Sequence, residues 1–154
     1  MIDNEKFLLS DELSGIVSEH SFSLENARII SNFGRNGNGF VRLPGKILVN
    51  KDKFYICDRH NYFIQKFTLE GLFNEQIGGK GRKYNEFDLP SDILKIDENH
   101  FLIADKNNDR SAVLNVNNFK ISDILISRKY QKGKLSRPTS FCIFEGNICV
   151  ADRE

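Results

Sequence analysis

One hexapeptide pattern limits what this chain can fold into. Lys6-Phe7-Leu8-Leu9-Ser10-Asp11, Lys53-Phe54-Tyr55-Ile56-Cys57-Asp58, His100-Phe101-Leu102-Ile103-Ala104-Asp105 and Asn147-Ile148-Cys149-Val150-Ala151-Asp152 recur at intervals of 47 residues. A fixed period in this range belongs to solenoids, propellers and arrays. Between recurrences, short runs rich in Ile, Val, Phe and Tyr alternate with turns such as Asn50-Lys51-Asp52 and Leu69-Glu70-Gly71. Such runs are strands in a meander. Four of them per period select a propeller, built from four-stranded antiparallel blades lettered a to d. The expected fold class is all-β, a partial β-propeller.

The whole chain, residues 1–154, reads as a single propeller segment cut at its glycine-rich loops. Residues 1–33 make a partial blade, with strand b at Lys6–Asp11, c at Gly15–Phe22 and d at Ala27–Phe33. Asp11–His20 tolerates a helix locally, but its equivalence to strand c of the other units makes it a strand. Residues 34–78 hold a complete blade: a at Lys46–Asn50, b at Lys53–Asp58, c at Phe63–Thr68 and d at Leu72–Ile77. Residues 79–126 hold another: Asp92–Ile96, His100–Asp105, Ser111–Val116 and Phe119–Ile126. Residues 127–154 make a second partial blade, with strands at Thr139–Phe144 and Asn147–Asp152.

Strand b is apolar at nearly every position, as in strands covered on both faces. Ile56 and Ile103 are therefore expected in the core. Propellers close with four to eight blades, and this chain carries about three and a quarter. The expectation is a piece of a longer propeller protein. A chain limited to these residues would expose blade faces and unpaired edges and self-associate.

Composition excludes some classes. A net charge of +1 is not that of a uniformly basic nucleic-acid binder. No apolar run reaches the eighteen or so residues of a membrane span. The start, Met1-Ile2-Asp3-Asn4-Glu5, lacks the basic-then-apolar plan of a signal peptide. Cys57, Cys142 and Cys149 all fall in apolar strand runs. An odd number of buried thiols fits a reducing compartment, here the cytoplasm. Cys142 and Cys149 face each other across one hairpin if the last two strands pair.

Residues 34–78 resemble the NHL repeat, a six-bladed β-propeller family, through Gly34, Gly37, Gly39, Phe40, Pro44, Tyr55, Asp58, Asn61, Ile64, Phe67, Gly71, Ile77 and Gly78. Residues 78–126 resemble it through Gly79, Gly81, Phe87, Pro90, Ala104, Asp105, Asn108 and Arg110. Phe63 stands where the family has Arg, Ser14 where Asn61 and Asn108 stand in their units, and the third glycine loop is replaced by Ser127–Lys134. The resemblance implies a binding module for protein or RNA, a sensor domain or, rarely, an enzyme. Fold alone does not choose among these.

Asp11, Asp58, Asp105 and Asp152 end strand b in every unit. They are read as structural caps, each accepting backbone N–H bonds in its own b–c turn. His20, His60 and His100 occupy non-equivalent positions, so they do not make a metal ring about an axis. No nucleophile lies in a recognisable context. Gly78–Lys83 lacks the helix and Lys-Ser/Thr step of a phosphate loop. No cofactor, metal or catalytic group is implied.

Charge is the distinguishing signal. The d–a loops, residues 34–43, 78–88 and 127–137, carry ten Lys and Arg against Glu86 and Asp88. These are Arg35, Arg42, Lys80, Arg82, Lys83, Arg128, Lys129, Lys132, Lys134 and Arg137. The loops are thus +8, which leaves −7 on the other 122 residues. The opposite face, with Glu25, Glu70, Asp97, Glu98 and Glu145, is acidic. Tyr84 and Tyr130 lie among the loop cations and could stack bases. The leading expectation is a non-catalytic module that docks a protein partner through a loop face. RNA or another polyanion is the alternative ligand on the basic face, and an enzyme with its site in the propeller channel is a second alternative.

Overall fold

Lys53–Asp58 carries apolar side chains on both of its faces, so each face needs a cover. The computed structural model, which describes residues 6–11, 13–21, 27–31, 39–127 and 136–153, shows how that is met. The described strands are β1 (Lys6–Asp11), β2 (Ile16–Ser21), β3 (Ala27–Ser31), β4 (Pro44–Asn50), β5 (Lys53–Asp58), β6 (Phe63–Thr68), β7 (Phe73–Gly78), β8 (Pro90–Lys95), β9 (His100–Asp105), β10 (Arg110–Asn115), β11 (Lys120–Ser127), β12 (Ser140–Phe144) and β13 (Asn147–Ala151). They form four antiparallel meanders, ordered β1-β2-β3, β4-β5-β6-β7, β8-β9-β10-β11 and β12-β13. These are the blades of a partial β-propeller.

Successive strand residues point to opposite faces, and here opposite faces meet different blades. Phe54 and Ile56 pack with Val17, Val41 and Phe67 between the first two blades. Tyr55 and Cys57 pack with Phe101, Ile103, Ala112 and Leu114 between the second and third. Leu102 and Ala104 then meet Phe141 across the next interface. Ile56 and Ile103 are both fully buried. β5 and β9 therefore each tie their blade to two neighbours at once. Ring packing reinforces this: Phe54 stacks on Phe67 at 5.1 Å, and Tyr55 meets Phe101 edge-on at 4.9 Å.

The b–c turns share one backbone device. Gly15, Tyr62 and Asp109, each four residues after the strand-b aspartate, have φ of 69°, 65° and 53°. Tyr62 and Asp109 hold a left-handed conformation that side chains disfavour. The surrounding contacts must maintain it.

Two expectations are corrected. Strand a begins at Pro44 and Pro90, two residues before the sequence suggests, because the pairing runs through an irregularity between Pro44 and Ile47 and again between Pro90 and Asp92. Cys142 and Cys149 are exposed, not buried. In β12–β13 the Phe141–Val150 pair packs against the third blade, while the adjacent Cys142–Cys149 pair turns to the other face. That face remains open, with Phe144, two residues on from Cys142, 64% exposed.

Candidate functional site

The turn carboxylates and the loops meet on one face. Asp58 is fully buried, and its Oδ1 accepts a bond from the Asn61 amide at 3.1 Å. Its Oδ2 accepts from Asn61 Nδ2 at 2.8 Å and Gln65 Nε2 at 2.9 Å. Gln65 Nε2 also donates to the Phe40 carbonyl at 2.8 Å, tying the turn to the preceding d–a loop. Gln65 thus makes from strand c the bond to the turn aspartate that Phe63 cannot make.

The third blade repeats the clamp with stronger chemistry. Asp105 Oδ2 accepts from Arg110 Nε and Asn108 Nδ2, each at 2.7 Å. Arg110 also donates to the carbonyls of Arg82, Lys83 and Glu86, and Asn108 to that of Gly81. Burial pushes the Asp105 carboxyl above its usual range, while the bonds from Asn108, Asp88 and Arg110 act against that.

The four aspartates are not equivalent as caps. Asp11 accepts from the Leu13 and Ser14 amides of its own turn, and the Ser14 bonds hold its carboxyl below the usual range. Asp105 instead accepts the Asp88 amide at 2.7 Å, and Asp152 the Ser136 amide at 2.7 Å. Both amides belong to the preceding d–a loop. The buried Asp105 and the exposed Asp152 alike accept the donor that the loop brings to them.

Arg42, Lys80, Arg82, Lys83, Tyr84 and Arg137 are exposed on these clamped loops. Arg42 Nη1 donates to His60 Nε2 at 2.8 Å, and Lys80 Nζ lies 5.3 Å from the Tyr62 ring centre. Arg137 donates its amide to Asp109 Oδ1 at 3.1 Å. Each contact joins a d–a loop to a b–c turn, so both loop sets share one face. Arg35, Arg128, Lys129, Tyr130, Lys132 and Lys134 lie outside the described residues. Asp97, Glu98, Glu70 and Glu145 are exposed at the a–b and c–d turns. The three histidines stay apart: His20 meets Ser18, His60 Arg42, and His100 Asp97.

A pocket of about 380 Å³ opens where the inner strands begin, lined by Ser10, Pro44, Gly45, Lys46, Arg59, Ser91, Asp92, Thr139 and Ser140. It lies beside the start of β4 and β8, where the pairing is irregular. Such irregularities re-aim side chains and cluster near functional sites. The sequence reading missed Lys46, Arg59 and Asp92. A signal existed: Lys46, Asp92 and Ser140 each stand two residues after a proline that opens an inner strand, so repeat alignment puts them at one level around the axis.

Among the described residues, no cluster of three or more His, Cys, Asp and Glu could hold a metal ion. No helix among them is long and apolar enough to cross a membrane.

Comparison with solved structures fits this geometry. The chain resembles a structural-genomics protein of unknown function from Bacteroides thetaiotaomicron, with TM-score 0.72 and 15% identity over 96% of this chain and 42% of that one. It resembles a chain of the nidogen/laminin complex (TM-score 0.66, 14% identity, 96% and 51% coverage). Virginiamycin B lyase from Staphylococcus aureus is similar as well (TM-score 0.68, 12% identity, 99% and 47% coverage). At these identities the likeness establishes the fold alone, a β-propeller. The chain spans about half or less of the length of these structures. No protein-family model and no curated protein sequence matches it.

Proposed function

We propose that this chain belongs to a non-catalytic, NHL-type β-propeller that docks an acidic protein partner through its d–a and b–c loop face. One observation carries the reading. Arg82, Lys83 and Tyr84 are exposed on a loop whose carbonyls are gripped by the buried Arg110. A surface already ordered loses less conformational freedom on binding. Its cations would steer an acidic partner and speed encounter. The NHL assignment is supported by Asn61, Asn108 and Arg110, the motif residues that make the clamp.

The test is binding of an all-glutamate peptide to the chain at graded salt, with and without the double reversal Arg82→Glu and Lys83→Glu. Saturable binding that weakens with salt and is lost on reversal is the expected result. Equal binding by both forms would remove the loop face from consideration.

Tyr84, 49% exposed beside Lys83, favours a second reading, single-stranded RNA. In that case an RNA probe would outbind the peptide. Each neutralised phosphate would add about −0.7 to the slope of log affinity against log salt. Tyr84→Ala would then cost on the order of 1–3 kcal/mol through lost stacking.

A further inference from the structure

The fourth blade carries two thiols where the other blades carry two large apolar side chains. In β12–β13, Cys142 stands directly opposite Cys149. The same slot holds Leu48 opposite Tyr55 in the second blade and Leu94 opposite Leu102 in the third. There each pair packs into the interface with the following blade, and Tyr55 and Leu102 are each 3% exposed. Cys142 and Cys149 are free thiols, and both are exposed.

One cysteine in such a slot would be a small apolar filler. Two of them, one from each strand, form an accessible dithiol. Directly opposed residues of an antiparallel pair point to the same face, with Cβ atoms about 4.5–5.5 Å apart. A disulfide prefers roughly 3.5–4.5 Å between its Cβ atoms. The two sulfurs are therefore in reach of each other, and joining them draws the strands together.

The hairpin is placed to allow this. β12 and β13 form a two-stranded sheet joined by a tight turn, in which Glu145 and Gly146 have φ of 49° and 75°. Its thiol-bearing face is open, so solvent and small reagents reach both sulfurs. Cys57, fully buried between the second and third blades, is shielded from them. Strained or exposed disulfides are the readily reduced ones. A bond closed here is a reversible couple, not a permanent staple.

We infer that Cys142 and Cys149 form a dithiol–disulfide couple that is oxidised by small disulfides of the glutathione type. The thiolate of one cysteine attacks the oxidant's S–S bond, which breaks; a mixed disulfide forms and one small thiolate leaves. The second cysteine, as thiolate, attacks the protein sulfur of that mixed disulfide. The Cys142–Cys149 bond forms, and the second small thiolate leaves. Two electrons pass from the protein to the oxidant, and the two thiol protons end on the two small thiols released. Excess small thiol runs the same steps backwards. The couple lies on a strand pair and needs nothing from the docking face, so either reading stands if the other fails.

The test incubates the full, reduced chain with oxidised glutathione and reads intact mass, a peptide map and alkylation of the remaining thiols. The parent should lose two hydrogens, retain no glutathione and yield a peptide linking Cys142 to Cys149. Cys57 should then be the single thiol alkylated, and that only on unfolding. Cys142→Ser and Cys149→Ser should each trap a glutathione adduct, because the resolving thiol is gone. Both positions are exposed, so unchanged melting temperatures check that these variants fold. A large excess of reduced glutathione should restore both thiols of the parent. A parent that keeps glutathione on either cysteine, or that links to a second chain or to Cys57, would overturn the inference. So would failure to react at all, or a bond that survives excess reduced glutathione.

Discussion

Arg110 Nε donates to Asp105 Oδ2 across 2.7 Å, and both side chains are buried. The two residues are cross-strand partners at the ends of β10 and β9, and the remaining guanidinium N–H groups hold the loop at Arg82, Lys83 and Glu86. A buried ion pair is weak evidence of net stabilisation, but breaking one side of it is costly. Arg110→Ala should lower stability by about 3–5 kcal/mol in chemical denaturation. A loss below about 1 kcal/mol would mean that the clamp is dispensable.

That variant carries a pH signature. Without Arg110, burial dominates at Asp105 and its native pKa rises further above the unfolded value. The native state then holds a proton that the unfolded state releases, so stability falls as pH rises through the carboxylate range. The deficit of Arg110→Ala should be smaller in acid than at neutral pH. Denaturant midpoints measured across that range give the comparison, and a deficit that grows toward acid would contradict the reading.

Ile56 and Ile103 fill the two interfaces of the second blade from opposite sides. Replacing either with Ala should cost roughly 2–5 kcal/mol. Thermal melting checks it: an Ile103→Ala variant melting within a degree of the parent would contradict the blade packing described here.

Gly78 has φ of 129°, and an added Cβ would stand 2.3 Å from the Tyr62 carbonyl oxygen. Gly78→Ala should therefore destabilise by at least the 1–3 kcal/mol or so of a strained backbone. Gly146, with φ of 75° and nothing near its Cβ, is the control. Gly146→Ala should lose less, as paired denaturation curves would show.

Cysteine reactivity should separate the three thiols. Burial pushes the Cys57 thiol well above its usual range, with the nearby Asp92 charge adding to it. Cys142 and Cys149 are exposed. Alkylation under native conditions, read by mass, should modify Cys142 and Cys149 first and Cys57 only on unfolding. Early modification of Cys57 would show that the interface between the second and third blades opens readily.

Much of the fold was legible because spacing survives where residue identity does not. The 47-residue period marks β1, β5, β9 and β13 even though their sequences share little beyond apolarity and an Asp at or just after the strand end. The starts of β4 and β8 were misplaced because an irregular pairing leaves no mark in an apolar run. Cys142 and Cys149 looked buried because that inference assumes a cover on both sides of the last hairpin. Gln65 was missed because its amide replaces a guanidinium from two residues further along, on the same face of the strand. The pocket was least legible of all. Lys46, Asp92 and Ser140 share a repeat position but no chemistry, and only the convergence of β4, β8 and β12 makes them neighbours.

Arg110 and Asn108 grip the 81–86 loop through its carbonyl oxygens, and a carbonyl is the same for every residue type. The anchor is therefore blind to the letters at positions 82–84, whose side chains project to solvent. That stretch is expected to act as an interchangeable cassette: swapping its residues together for acidic, aromatic or neutral ones removes only the exposed Lys83–Glu86 ion pair and leaves the carbonyl anchors in place. Selection, or a designer, can rewrite what this rim recognises without renegotiating how the protein folds.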